Sequence, residues 1–424
     1  MMLGLYRAFS VIGVPLIYIL LWVRLFSGKE DRARLPERFG YPQVARPIGR
    51  LVWIHAASVG EALSALPLIA HLLERHLDTN VLITTGTVTS ANILAERLPK
   101  RARHHYVPID RPVWVRRFLD LWKPDMAIWI ESELWPNMVL ETARRRIPMA
   151  LVNARLSERS FSRWRLAPRS IAKLLGCFGA ILARDEQSAG YLRQLGAKSV
   201  ICAGDLKQAA EPLPADKIGL ALLQSAIGAR PAWLAASTHP GEEAIAMQVH
   251  QKLRTQFPNL ITLIAPRHAS RGAEIAKMLA ANGLGVARRA NQELPDGNTD
   301  VYLADTMGEM GLMYRAAPIA FTGGSLAPHG GQNPLEPARL GRAILHGPHT
   351  ANFADIYAAM DNAGASQAVT DAASLSDAVA ALLSNAKRTA NYGERAQAYA
   401  DQGGNSVLER ILKNLEALLP EPLA

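Results

Sequence analysis

Glu61 is a lone carboxylate at a point where the character of the chain changes. An apolar run, Leu51–His55, gives way to "AASVG", the acid follows Gly60, and about a dozen largely apolar residues come next. An acid in the first turn of a helix has two uses. It can cap the helix and meet its dipole, stabilising by a few tenths of a kcal/mol to about 1 kcal/mol. Alternatively, it can project beyond the strand end as a general base that takes a proton from a hydroxyl. A second pair of acids, Glu131 and Glu133 in "WIESELWPNM", closes another apolar run. Acids at the end of a buried strand are costly unless they are used or paired, and strand alternation sets these two on one face. Arg155, Arg159 and Arg163 recur four apart in "NARLSERSFSRWRLAPR", with Arg165 and Arg169 added. On a helix they form a basic stripe, open to solvent or to a phosphate. Lys207 stands in "GDLK" and Arg267–His268 in "APRH", the latter directly after an apolar run. The densest stretch runs from Asp305 to Gly341 and includes "DTMGEM" and "FTGGSLAPHGGQNPLEP". Its glycines let backbone N–H groups approach an anion. Helix starts are expected at Gly308 and Asn333, with Glu336 in the first turn of the second, suited to ribose hydroxyls.

The elements that must carry these residues alternate. Strands are expected at Leu51–His55, Val81–Thr85, His105–Val107, Met126–Ile130, Pro148–Val152, Gly179–Ala183 and Val200–Cys202, each pair separated by a helical pattern. A second series is expected at Trp233–Ser237, Leu260–Ala265, Val301–Ala304, Ile319–Thr322, Ala343–His346 and Ala368–Thr370. Between the series, "KQAAEPLPADK" (207–217) reads as a linker, and the chain ends in helices expected near 372–386, 388–400 and 404–418. Such alternation implies an α/β chain of two Rossmann-like domains with parallel sheets. The expected division is 1–28 as an N-terminal anchor, 29–206 and 218–424 as the two domains, and 207–217 between them. "AASVGE" and "AASTHPGEE" open the two series alike, and ligands in such sheets sit beyond the carboxyl ends of the strands. Both motifs are therefore expected to face a shared cleft.

The chain has 424 residues, 49% apolar and 20% charged, with a net charge of +10. The charge is uneven: residues 1–210 carry 30 Lys and Arg against 17 Asp and Glu, a balance of +13, and the remainder carry 17 against 20, a balance of −3. A basic first half implies an anionic partner. Nucleic acid is disfavoured, because the basic excess lacks interleaved aromatics and accompanies an apolar N-terminus. Sixteen uncharged residues separate Arg7 from Arg24. They cover roughly 24 Å as a helix, short of the ~30 Å hydrocarbon core unless Met1–Phe26 takes part with its arginines snorkelling. We expect a membrane anchor, a short span or an interfacial helix, with the downstream protein on the cytoplasmic side and in contact with anionic lipid. The two cysteines, Cys177 and Cys202, form no metal or disulfide framework.

No GxxxxGK[ST], strand-to-helix GxGxxG, HExxH, GxSxG or DxD is present, which disfavours P-loop, simple dehydrogenase, zincin and α/β-hydrolase chemistry. The ordered set "AASVGE", "IESELWPN", "NARLSERSF", "GDLK", "STHPGEE", "PRH", "TMGEM" and "FTGGSLAPHGGQNPLEP" resembles the Kdo transferases of Gram-negative bacteria, over nearly the whole chain. These enzymes move 3-deoxy-D-manno-oct-2-ulosonic acid (Kdo) from CMP-Kdo to the lipid A precursor. The resemblance implies a GT-B fold, with Glu61 as the proton acceptor and Glu131 and Lys207 as polar groups at the transition state. It also implies that Arg267, His268, Gly308, Glu309, Met310, Asn333, Pro334, Leu335 and Glu336 hold CMP, with neither metal nor cofactor. Two other readings stay open on residues alone: a GT-B enzyme using a UDP-sugar, and a non-catalytic two-lobed binding protein at a membrane. If the Arg155–Arg169 run contacts the phosphates of a lipid, Arg155→Ala with Arg159→Ala raises the KM for that lipid; an unchanged KM removes the assignment.

Overall fold

Residues 2–419 are described by a computed structural model of the protein, so Met1 of the expected anchor and residues 420–424 of the expected second domain lie outside it. Two seven-stranded parallel sheets organise the chain. The first contains β1 (Arg50–His55), β2 (Thr79–Thr85), β3 (Ala102–Tyr106), β4 (Met126–Ile130), β5 (Met149–Ala154), β6 (Ala180–Ala183) and β7 (Val200–Cys202). The second contains β8 (Ala232–Thr238), β9 (Ile261–Pro266), β10 (Val286–Arg288), β11 (Val301–Leu303), β12 (Ile319–Thr322), β13 (Ala343–His346) and β14 (Gln367–Ala368). The strand orders are β3-β2-β1-β4-β5-β6-β7 and β10-β11-β9-β8-β12-β13-β14. In each sheet the winding reverses beside the first strand, between β1 and β4 and between β8 and β12.

Every side chain of β1 from Leu51 to His55 is buried, as a parallel strand covered on both faces requires. Alternation then divides them. Val52 and Ile54 pack with Leu66, Ile69 and Leu72 of α3 (Val59–Arg75), while Leu51 and Trp53 face Phe118 and Trp129. The Trp53 indole N–H donates to Thr84 Oγ1 at 2.9 Å, so its burial leaves no polar atom unpaired.

The chain divides into two units, 2–210 with 404–419 and 211–403. This differs from the expected second domain running to 424. The cause lies in one 31-residue helix, Ala386–Glu416, where two helices are expected. Its apolar stripe Val407, Leu408, Ile411, Leu412 and Leu415 joins the core beneath β1. Gly403–Gly404 does not break the helix, and Gly404 has a packing reason: a Cβ there would lie 2.7 Å from the Gln208 carbonyl oxygen. The three-residue strand β10 also escapes the sequence reading, because "VAR" carries no apolar run.

At the N-terminus, α1 (Met2–Ile12) and α2 (Val14–Phe26) meet at a 63° bend. Pro15 supplies no backbone N–H and crowds the carbonyl one turn back, which interrupts the helix. Among the described residues no single helix is long and apolar enough to cross a membrane. The polar side of α1 lies on the first unit: the Tyr6 hydroxyl donates to Asp110 Oδ2 at 2.9 Å, Arg7 pairs with Glu141 at 3.0 Å, and Asn137 Nδ2 donates to Ser10 Oγ at 3.2 Å. Leu5, Phe9, Ile12, Leu16, Ile19 and Trp22 are exposed.

Burial holds three histidines of the first unit neutral. It pushes His55 and His105 down to about 4 and, with Arg34 beside it, His104 to about 3. Because the unfolded imidazoles titrate near ~6.5, these groups contribute stability that is complete above that pH. It is lost as pH falls from about 6.5 through their folded values. In an NMR titration these three rings should show no protonation shift at pH 5; a shift completed near 6.5 would contradict their burial.

Candidate active site

In the first unit the polar residues gather where the sheet reverses. The neighbouring strands β1 and β4 pair through His55 and Trp129, so the segments that follow them, 56–61 and 131–135, emerge side by side. Ser58 caps α3 by accepting the Glu61 backbone N–H at 3.3 Å, and its hydroxyl donates to Glu61 Oε1 at 2.8 Å. Glu61 Oε2 accepts the Ala57 N–H at 2.7 Å. The capping and the catalytic uses of Glu61 are therefore not exclusive: the cap fixes the carboxylate. Burial raises its pKa against the opposing hydrogen bonds from Ser58 and Ala57, and the charges of Glu131 and Glu133 push the same way. A carboxylate raised in this way is a stronger proton acceptor than an exposed one.

Strand β4 ends at Ile130, as expected, but the extended backbone assumed for Glu131 and Glu133 does not follow it. Glu131 instead takes a left-handed backbone, φ 59°, so the two acids do not share a strand face. Its N–H still donates to the Val152 carbonyl at 2.9 Å, and Lys207 Nζ lies 3.3 Å from its Oε1. Lys207 arrives on a short 3-10 turn, Leu206–Ala209, set by two caps. Asp205 accepts the Lys207 N–H at 2.9 Å, and Asn153 Oδ1 accepts the Leu206 N–H at 2.9 Å. Asn153 is itself left-handed, φ 57°, at a register shift of β5 against β6. Left-handed backbone at side-chain-bearing residues costs energy and persists only where surroundings enforce it. Here it turns a carboxylate toward Lys207 and an amide toward the turn that carries it.

The second unit repeats the plan at β8 and β12. Ser237 is left-handed, φ 54°, at a register shift of β8 against β9. Helix Glu242–Leu253 follows. The buried Glu242 accepts five backbone N–H groups. Oε2 takes those of His239 (2.9 Å) and Gly324 (2.6 Å), and Oε1 those of Ser325 (3.1 Å), Leu326 (3.0 Å) and Ala327 (3.1 Å). This corrects the expectation for "FTGGSLAP": those loop amides already hold an internal anion. Three imidazoles and a guanidinium gather nearby. The rings of His239 and His329 stack at 4.2 Å, and His268 meets His239 edge-on at 6.4 Å. Burial, and then the neighbouring His329, lower the His239 pKa, with His268 and Arg267 adding to the effect and Glu242 opposing it. Glu336 lies in the first turn of the short helix Leu335–Ala338, where Asn333 Oδ1 accepts the Leu335 N–H at 3.1 Å. Burial raises the Glu336 pKa, opposed by Arg339, Asn333 and Arg267. The other helix of this stretch begins at Met310, not Gly308. Gly308 has φ 85°, which favours glycine, and Glu309 pairs with Arg289 at 2.6 Å, which lowers its pKa.

Two acids and a lysine at one sheet reversal, and cations with a polar loop at the other, suit transfer of a group from an anionic donor. A family model, 3-deoxy-D-manno-octulosonic-acid transferase (kdotransferase), matches residues 33–210. The 3-deoxy-D-manno-octulosonic acid transferase of Haemophilus influenzae is 33% identical over 422 residues, covering 97% of this chain and 95% of its own. That of Rickettsia bellii is 32% identical over 421 residues, covering 99% and 100%. The chain belongs to the Kdo transferase family. Among solved structures, the UDP-GlcNAc 2-epimerase of Neisseria meningitidis bound to UDP-GlcNAc, 14% identical, aligns over 87% of this chain and all of its own with a TM-score of 0.57. It shares the fold, two parallel-sheet α/β domains of GT-B type.

In this Kdo transferase the structure brings Glu61, Glu131 and Lys207 together in the first unit and Arg267, His268, Asn333 and Glu336 in the second. The basic run is less regular than expected. Its helix spans only Glu158–Arg165, so Arg155 precedes it, held through its N–H to Ser132 Oγ at 3.1 Å. Sequence reasoning passed over Glu242, His239 and His329. The signal was present in "STHPGEE" and "APHGG": a Gly-Glu pair at a helix start and two further histidines near a glycine loop. Glu242→Gln turns an amide NH2 toward at least two of the buried N–H donors, each costing about 1–3 kcal/mol. Chemical denaturation of the full chain should show a loss of about 2–5 kcal/mol, with faster amide exchange at 324–327. A loss below about 0.5 kcal/mol would mean that the loop is held by other contacts.

Proposed function

We propose that this Kdo transferase moves Kdo from CMP-Kdo to the lipid A precursor, lipid IVA, in lipopolysaccharide core biosynthesis, with inversion at the anomeric carbon. The observation that carries the reading is Glu61, a buried carboxylate of raised pKa fixed by Ser58 and Ala57 beside the Glu131–Lys207 pair. A sugar hydroxyl of the acceptor gives its proton to Glu61. Its oxygen bonds to the anomeric carbon of Kdo as the bond to the CMP phosphate breaks, and CMP leaves with the electron pair. A single displacement inverts the centre. Lys207 offsets the negative charge that builds up, and its pair with Glu131 keeps the ammonium in place.

Arg267 and His268, the segment Gly308–Glu309–Met310, and Asn333 through Pro334 and Leu335 to Glu336 are the donor contacts in this reading. Arg267 and the histidines oppose the phosphate charge, and Glu336 suits the ribose hydroxyls. The reaction as written calls for no metal or cofactor beyond the donor. The exposed apolar side of α1 and α2, with basic residues following, suits an interfacial helix pair on anionic lipid at the cytoplasmic face of the inner membrane.

Glu61→Gln keeps the shape and removes the base, so kcat for Kdo transfer from regenerated CMP-Kdo should fall about 10²–10⁴-fold with little change in KM. The base acts only when ionised. Wild-type kcat/KM therefore rises with pH through a value above the ordinary carboxylate range, and the variant lacks that limb. Transfer that survives intact in Glu61→Gln would move the base elsewhere, and competition by UDP instead of CMP would overturn the donor.

A further inference from the structure

The lipid acceptor of this reading needs somewhere to put its chains, and the first unit contains an apolar recess walled in part by Gly86. A half-open cavity of about 400 Å³ lies between α2 and the loop that follows β3. Ile17, Leu20 and Leu21 form one wall and Val107, Pro108 and Ile109 the other, with Trp135 adding an indole. Its charged members are all engaged: Asp110 accepts the Tyr6 hydroxyl at 2.9 Å and the Asn137 and Met138 N–H groups at 3.0 and 2.7 Å, and Glu30 holds both arginines. Glu30 accepts from Arg24 Nε at 2.7 Å and from Arg38 Nη2 at 2.9 Å. Arg38 also donates to the Gly86 and Val107 carbonyls at 2.8 and 3.2 Å. What remains open to a ligand is mostly hydrocarbon.

The position of the cavity identifies its occupant. Gly86 lines it, and the Gly86 N–H donates to the Ala57 carbonyl at 3.3 Å. The Ala57 N–H in turn donates to Glu61. Two hydrogen bonds through the Ala57 backbone thus connect the cavity wall to the Glu61 carboxylate. Trp135 also belongs to the loop that carries Glu131 and Glu133, and it lines a second apolar cavity of about 410 Å³ with Leu3, Leu134 and Trp164. Leu20 on its wall is also exposed, and α2 presents exposed Leu16, Ile19 and Trp22 besides. We propose that this cavity takes one acyl chain of the lipid acceptor and so fixes the depth at which the acceptor hydroxyl meets Glu61. The proposal rests on the transferase reading above. A chain attached to the reacting sugar gains orientation by entering a recess whose Gly86 wall is hydrogen-bonded to the Ala57 turn that holds Glu61.

The test compares fully acylated acceptor with its de-acylated, water-soluble counterpart in detergent micelles, under saturating regenerated CMP-Kdo. Wild type should favour the acylated acceptor in kcat/KM by about tenfold or more. Ile17→Trp, which fills the recess, should raise KM for the acylated acceptor about tenfold while leaving the de-acylated acceptor and the KM for CMP-Kdo unchanged. Leu20→Asn, at an exposed edge, should do the same to a lesser degree and serves if Ile17→Trp does not fold. Equal use of both acceptors by wild type, or an undiminished acyl preference in a folded variant, overturns the proposal. So does weaker binding to phosphatidylglycerol vesicles with acyl discrimination intact, which would make a bilayer lipid the occupant. Failure of wild type to use either acceptor would count instead against the transferase reading.

Discussion

Both units depend on one constraint: a strand that ends under a helix start leaves amides with no partner, and a carboxylate must supply one. In the first unit Glu61 takes the Ala57 N–H and the Ser58 hydroxyl. In the second, Glu242 takes five N–H groups and ties the turn after β8 to the loop after β12. The two acids stand at equivalent places, at the sheet reversal, yet the same solution leaves them with different capacities. Glu61 retains lone pairs facing away from two donors and near two other acids, so its proton affinity is raised. Glu242 is saturated. One turn leaves a carboxylate of raised proton affinity and the other a saturated one, and the number of N–H groups that each must satisfy decides which.

Strain completes the arrangement. Glu131, Asn153 and Ser237 all hold left-handed backbone at the carboxyl ends of parallel strands, and two of them sit at register shifts. A continued strand would bury these side chains between helices. The reversal of φ turns them out of the sheet, and the buried strands on either side, fixed by their ladders, offset the local cost. The site of this Kdo transferase is thus an outcome of sheet geometry as much as of residue choice.

Much of this was legible in the sequence. Apolar runs of four or more residues gave the central strands, because parallel strands buried on both faces leave no ambiguity of pattern. That Glu61 and Glu131 follow strand ends was legible because charge there stands out against such runs. The edge strand β10 was not, since three residues at a sheet margin bury too little to mark themselves. Nor was the backbone turn at Glu131, because an alternation argument assumes the strand continues. The glycine loop misled for a related reason. Its composition shows that amides converge, but only the fold shows that Glu242 reaches them first. The long last helix was hidden because Gly403–Gly404 reads as a break, and its value lies in a contact with Gln208, nearly two hundred residues away in sequence.

That last helix also sets the order in which the protein can be completed. The core beneath β1 includes Val407, Leu408, Ile411, Leu412 and Leu415, residues made after the whole of the second unit. Domains generally fold in the order in which they emerge. Here the second unit, 211–403, has its whole chain before the first unit does. The half that bears Glu61 waits with one side of its core uncovered until the final turns of helix arrive. Birth order and finishing order are reversed: a ribosome that stops before residue 404 leaves the earlier-made of these two units unfinished.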